Sequence, residues 1–476
     1  MRFFTMLRFF SFFFFLQCVY AQEVVTIEGF APQYAGKKLA VSYYEDYLSK
    51  KEKILAESMV KADSTFEIKV AVDQILKVKI SFDRDFIRMY LAPHSSYDLH
   101  VVQAAEHTPN HPIGNELNYY FGGLGEEDIN YKIVTFENEI VQFLKDNFSP
   151  KKRNSGVFSE ELDSFKSTVS GNYEEDTCTF FKAYVKFGIA SLDDLPFNGN
   201  RNRYEKYDFY IKPETVWYQN DRYMDYIMLY YDKYTSQLSK AVNTAFYDGV
   251  VAKSPSMVMQ ALGRDYALDN LKLRELIMIK MLTDSYHNDE FPETNIENIL
   301  DSLSNHALFS ANKKIAKNIK NRLTDLVPGG KMINFSIEEG DTVFTQDYFS
   351  GKHLYMGFLN PNSKRTEAEL DLLTALYDKY NNYVSFFTLF VFENDKEKEE
   401  VKEKIYALNL PWDFGFIDQS SELVERARVL SFPAYILADG YGYIVQAPAL
   451  SPRPNNEYET IERYFFNIKK RYQNKD

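Results

Sequence analysis

The sequence predicts a multi-domain α+β protein, with strands first, then helices, then the two in alternation. Three observations carry this. In residues 24–102 apolar side chains alternate or run in short stretches between turn residues, the mark of β-structure. In residues 115–326 the apolar spacing changes to i, i+3, i+4, i+7, the mark of helices with one buried face. Beyond Gly330 strand-like runs and helix-like periods alternate, which calls for a central sheet covered on both faces. A length of 476 residues suits about three domains of ~150 residues each. The expected divisions are a leader at 1–21, a small antiparallel β-sandwich at 22–105, a helical domain at 106–326 and an α/β domain at 327–476.

Arg2 and Arg8, the apolar residues 9–16 and the small-residue pattern Val19-Tyr20-Ala21 read as an export signal cut before Gln22. That run is too short to span a bilayer, and no later stretch reaches the ~20 apolar residues a span needs. Cys18 raises a lipid anchor, but Gln17 stands where such signals want a small residue, so soluble export to the periplasm is expected. Losing Arg2 and Arg8 with the leader takes the formal charge from −13 to −15. So acidic a chain has no general attraction for nucleic acid or anionic lipid. One cysteine, Cys178, remains, so an internal disulfide is excluded although exported proteins live where disulfides persist. Its helical spacing with Phe181 and Val185 predicts a buried apolar thiol rather than a reactive one.

The strand segments are VVTIEGFAP, KKLAVSYYE, STFEIKVAV, KVKISF and FIRMYLAP, punctuated at Gly36-Lys37-Lys38, Ala62-Asp63-Ser64 and Pro93-His94-Ser95. His94, His100, His107 and His111 lack the paired spacing of a zinc site and are expected as solvated loop residues. In the helical segment Met224, Ile227, Met228 and Tyr231 share one face, as do Ile296, Ile299, Leu300 and Leu303. Pro213, Pro255, Pro292 and Pro328 fall between periodic stretches, as helix boundaries should. The 39 Phe and 36 Tyr are spread through the chain, which points to aromatic cores. The Tyr-rich DRYMDYIMLYYDKY is accordingly expected as core rather than as a carbohydrate or peptide platform. Residues 198–210 read as a solvated basic loop.

After the linker at 326–330 come INFSI, TVFTQDYF and the strand HLYMGFLN, which breaks at Asn360-Pro361 into a helix from about Lys364 to Tyr380. Then follow the strand VSFFTLFVF, the helix KEKEEVKEKIYAL, the strand FGFI, the helix SELVERARVL, the hairpin SFPAYILADGYGYIV and a closing helix. This order resembles the thioredoxin fold of exported TlpA-like thiol–disulfide oxidoreductases, over about 150 residues. In that family the strand–helix turn reads roughly F-W-A-x-W-C-x-x-C-R-x-E. Laid along Phe358, the cysteine positions fall on Ser363 and Thr366. The family's entry G-x-x-A-P-x-F finds Gly329 and Phe335, with Ile333 in place of its proline. The β-segment resembles the accessory β-domain that precedes the redox domain in many such proteins.

Thioredoxin chemistry needs a thiolate at the helix N-terminus and a second thiol to resolve the mixed disulfide. Hydroxyls form no disulfide, and an alkoxide is not populated at neutral pH without a general base. The expectation is therefore no catalytic residue, no metal and no cofactor, with Ser363 and Thr366 as vestigial positions. Ser and Thr are good N-caps, and Thr366-Glu367-Ala368-Glu369 has capping-box spacing. Lys364 and Arg365 place positive charge at that turn. The resemblance further implies a cis-proline facing the turn, carried here by Phe432-Pro433. With Lys364 and Arg365 these form a candidate contact for an extended protein or peptide. The leading reading is a binding or assembly protein. A thiol–disulfide oxidoreductase-related enzyme and an accessory carbohydrate- or nutrient-binding protein stay open.

Overall fold

The computed structural model describes residues 24–83, 85–102, 115–154, 156–195, 202–392, 395–429, 431–454 and 459–473. The expected leader, Cys18, His107 and His111 lie outside the described residues. The chain divides into two compact units, at Ile315 and Ala316.

The first unit opens with β1 (Val24–Phe30), β2 (Lys38–Tyr44), β3 (Glu52–Met59), β4 (Thr65–Ala71), β5 (Leu76–Phe82), β6 (Asp85–Leu91), β7 (Ser96–Val101) and β8 (Tyr119–Phe121). They form two four-stranded sheets, β4-β1-β7-β8 and β3-β2-β5-β6. Strand β4 shows why: Phe66, Ile68 and Val70 are buried while Glu67 and Lys69 are exposed. Strand β5 adds Leu76, Val78, Ile80 and Phe82 to the same core, beside Val25, Ile27, Leu39 and Val41. One pair departs from the antiparallel expectation. β1 runs parallel to β7, with Ile27 opposite Tyr97. Five strands lie between them and supply the long connection that parallel pairing requires. Alternation assigns faces, not neighbours, so this pairing was not readable from it. Gly29 sits at this pair, where a Cβ would fall 1.9 Å from the Leu99 carbonyl oxygen.

The helices are α1 (Ile129–Asn147), α2 (Pro150–Asn154), α3 (Val157–Tyr173), α4 (Thr179–Asp193), α5 (Arg203–Lys206), α6 (Asp221–Tyr230), α7 (Lys240–Val251), α8 (Pro255–Leu262), α9 (Leu271–Ser285), α10 (Glu293–His306) and α11 (Ser310–Thr324). Strand and helix segments, expected as two domains, share this unit because β6 is apolar on both faces. Ile87, Met89 and Leu91 enter the sandwich, whereas Tyr90 packs with Ile133, Phe136 and Tyr184 under the helices. Asn130 also covers the edge of β6: its Oδ1 accepts from Tyr90 N (2.7 Å) and its Nδ2 donates to Tyr90 O (2.9 Å). Strand pairing continues past residue 105 to β8, so helices begin only at Ile129.

The Tyr-rich run is core: Tyr223, Tyr226, Tyr230, Tyr231 and Tyr234 are buried. Tyr207 and Tyr210, from the segment expected as a solvated loop, are buried with them in a turn of π-helix after α5. Helix α9 is enclosed along nearly its whole length. Its buried Glu275 accepts from Leu308 N (2.8 Å) and Phe309 N (3.3 Å), meeting the unpaired N–H groups at the start of α11.

The second unit contains β9 (Ser336–Glu339), β10 (Thr342–Thr345), β11 (His353–Leu359), α12 (Lys364–Tyr380), β12 (Val384–Phe392), α13 (Asp395–Tyr406), β13 (Asp413–Asp418), α14 (Glu422–Arg426), β14 (Ala434–Ala438), β15 (Ile444–Gln446) and α15 (Ile461–Gln473). Strands β9 and β10 pair with each other, and the remaining five form one sheet in the order β13-β12-β11-β14-β15. β11, β12 and β13 are parallel; β14 and β15 run antiparallel. Side chains of β11 alternate between two cores. Tyr355 and Leu359 pack with α12, α13 and α15, through Leu373, Leu376, Val401 and Phe465. Leu354, Met356 and Phe358 pack with the β9–β10 hairpin and α14, through Ile337, Phe344, Leu423 and Val424. Burial on both faces explains the near-continuous apolar runs of β11 and β12.

Candidate functional site

Strand β11 ends at Leu359, and the chain turns through Asn360-Pro361-Asn362 into α12. Asn360 shapes the turn: its Oδ1 accepts from Asn362 N (2.9 Å) and its carbonyl oxygen from Ser363 N (3.1 Å). Ser363 is the N-cap of α12, its Oγ accepting from Arg365 N at 3.3 Å. Thr366 is buried, and its hydroxyl donates to Asn360 O. The two hydroxyls therefore fasten the turn to itself. The capping-box expectation for Thr366 and Glu369 is corrected. Because Ser363 takes the N-cap, Thr366 falls inside the first turn and Glu369 faces the sheet. Arg365 is exposed, and the Lys364 side chain lies outside the described residues.

Glu369 is the residue that the motif reading passed over. Its carboxylate is 3% exposed, accepting from Tyr435 Oη (3.0 Å) and pairing with Arg453 Nε (2.7 Å). Burial, and then the carboxylate beside it, push the Tyr435 phenol far above its ordinary range, so it stays a donor. Tyr435 stacks on Tyr355 with ring centroids 4.9 Å apart, and Tyr355 Oη donates to Leu450 O (2.7 Å). The segment 449–453 is thus strapped across this end of the sheet, with Ala449 N donating to Tyr435 O (2.7 Å). A glutamate three residues beyond Thr366 was the available signal, but only β14 shows what it meets.

The Phe432–Pro433 peptide is cis, and so is Ala447–Pro448. Ala434 lies opposite Phe358 in the β11–β14 register, which brings Pro433 to the sheet end that carries the β11–α12 turn. Phe432 and Pro433 are half-buried.

Elsewhere, Cys178 is the N-cap residue of α4 and half-buried against the α1–α3–α4 core, not within the helix as its spacing suggested. His100 pairs with Asp98 (3.1 Å) and stacks on Tyr120, while His94 is exposed in a left-handed turn. Among the described residues no group of three His, Cys, Asp or Glu side chains is gathered for a metal, and no helix is long and apolar enough to cross a membrane.

The sheet order places β11 between a parallel β12 and an antiparallel β14, with α12 joining β11 to β12 and a closing helix on the same face. The second unit has a thioredoxin-like fold. No family model and no curated protein matches the chain. Among solved structures it is similar to the C-terminal domain of a chain described as a thiol-disulfide oxidoreductase from Bacteroides thetaiotaomicron (21% identity, 30% of this chain and 97% of that one, TM-score 0.27). A second, from Bacteroides vulgatus and described likewise, gives 21% identity over 30% and 97%, with TM-score 0.26. The thioredoxin domain of a Bacteroides vulgatus thiol-disulfide oxidoreductase gives 14% identity over 31% and 98%, with TM-score 0.24.

Proposed function

We propose that this is an exported binding or assembly protein whose thioredoxin-like unit does not exchange dithiols. The observation that supports the reading is the fate of the two hydroxyls. Ser363 caps α12 and the Thr366 hydroxyl bonds Asn360 O, so the turn keeps its shape without a nucleophile. The ligand class proposed is an extended polypeptide adding beside Phe432 and Pro433, with the exposed Arg365 favouring acidic segments. The strap already bonds β14 at Tyr435, so a peptide would add at residues 431–433.

Reduction of insulin disulfides by dithiothreitol, with an ordinary thioredoxin as the positive control, tests the first part. The purified chain should leave the rate at its uncatalysed value; acceleration comparable to the control would end this reading. Capture of partners from the periplasmic fraction tests the second. Recovery of one partner by the native chain, weakened by Arg365→Glu most strongly at low salt, supports it.

A further inference from the structure

The first unit holds a cavity of about 510 Å³, with walls from β2, the β4–β5 turn, the loop before α6 and the first turns of α9 and α11. That is the size of a small-molecule site. Two of its aromatic side chains are fixed by their polar ends. Trp217 Nε1 donates to Glu214 Oε2 (3.1 Å), and Tyr218 Oη donates to Asn312 Oδ1 (2.7 Å). Asn312 is wholly buried and held in turn by Glu275 Oε2 (2.9 Å), so Tyr218 is tied to the frame of the unit. Both rings are half-buried, and Trp217 makes no ring–ring contact among the described residues. Fixed flat hydrocarbon surfaces of this kind suit the C–H face of a sugar ring. Gln74, exposed at the rim, carries an amide with no hydrogen bond among the described residues, available to hydroxyl groups.

Three of the four charged side chains in the wall have ionic or hydrogen-bonding partners. Glu45 pairs with Lys314 (2.7 Å) and Lys51 (3.5 Å), and Asp46 is bonded by Ser49. Lys272 has no carboxylate partner among the described residues, and its ammonium rests 5.0 Å from the centre of the Tyr218 ring. A ligand that completes the wall brings a single negative charge together with hydroxyls and an apolar ring face. We propose that this cavity binds a saccharide bearing a carboxylate, of the uronic acid class.

Calorimetry and tryptophan fluorescence on the intact chain test this, since the other tryptophan, Trp412, is buried in the second unit. The probes are glucuronic acid, galacturonic acid, glucose and N-acetyl-aspartate amide. A uronic acid should give a saturable response, with glucose roughly tenfold weaker for want of the charge-assisted contact to Lys272. Trp217→Phe should remove the fluorescence response. Lys272→Gln should bring uronic acid and glucose to similar affinities. Gln74→Ala, at an exposed position that does not threaten folding, should weaken the uronic acid about threefold. No saturable response to either uronic acid would overturn the proposal. So would an equal response to N-acetyl-aspartate amide, or affinities unchanged in both Lys272→Gln and Gln74→Ala.

Discussion

Replacing Arg453 by methionine should destabilise the thioredoxin-like unit by about 2 kcal/mol, a figure set by the unequal burial of the two charges it separates. Glu369 is 3% exposed and Arg453 is 48% exposed. Breaking a fully buried ion pair costs about 3–5 kcal/mol, because the survivor is left charged in a poor solvent. Exposed pairs are worth only about 0.2–1 kcal/mol, because water screens them. Here the survivor is buried and the partner removed is half-solvated, so the cost lies between those limits. Tyr435 Oη still donates to Glu369 and absorbs part of it. Methionine keeps most of the hydrocarbon stem, so the loss reports the charge. In a Trp217→Phe background, Trp412 is the sole indole and sits in the same core as Tyr435, so its fluorescence in a urea titration follows this unit. Glu369→Gln in the Arg453→Met chain should recover more than half of the loss, since a neutral carboxamide needs no counter-charge. A midpoint unmoved by Arg453→Met would refute the reasoning. A double variant no more stable than Arg453→Met alone would show that the arginine acts through packing.

Three further outcomes follow from the same geometry. Gly29→Ala should cost about 3 kcal/mol or more of first-unit stability, because the added Cβ meets the Leu99 carbonyl oxygen at 1.9 Å; an unchanged denaturation midpoint would mean the parallel β1–β7 pair is wrongly placed. Burial holds the His353 imidazole below its ordinary value of 6.5, with Nδ1 buried and unbonded among the described residues, so below that pH the unfolded chain gains a proton that the folded chain refuses. Stability should therefore fall from roughly pH 7 to pH 5, and His353→Phe should flatten the fall; an identical slope in both chains would exclude His353 as its source. Cys178, half-buried at the start of α4, should react with a small maleimide at least about tenfold more slowly in native buffer than in denaturant, and equal rates would show the thiol to be open.

Local signals carried much of this structure. The apolar period from Leu373 to Tyr380 and the stop at Asn360-Pro361 placed α12 at its observed bounds, because propensity, capping and burial agree there. The alternation of elements beyond residue 330 called for a central sheet covered on both faces, and the family resemblance supplied the thioredoxin-like order of its strands. What stayed hidden depends on which face meets which neighbour. The strand signal of β6 said nothing of Tyr90 turning away from the sandwich to pack in the core under the helices. Likewise T-x-x-E was legible as a cap, but Ser363 competes for the same role three residues earlier and wins, which frees Glu369 to face Tyr435.

The same distinction separates the two candidate sites. The β11–α12 turn was legible in sequence because its residues are contiguous, and its candidacy as a site rests on the family resemblance. The cavity beside Trp217 draws on residues from Tyr43 to Ile315, and none of its contributions forms a motif by itself. Trp217 is half-buried with its N–H held by Glu214, and Tyr218 is held through Asn312 by a glutamate on α9. The Tyr218–Asn312–Glu275 tether carries no signature in spacing, since it joins segments set beside each other only by the fold, whereas Glu214 and Trp217 are three residues apart in one loop. At the β11–α12 turn the Ser363 and Thr366 hydroxyls bond the turn's own backbone, which fixes its shape. In the cavity Tyr218 is tied through the buried Asn312 and Trp217 through the half-buried Glu214, and those tethers, with Lys272 over the Tyr218 ring, are what the proposed saccharide site rests on.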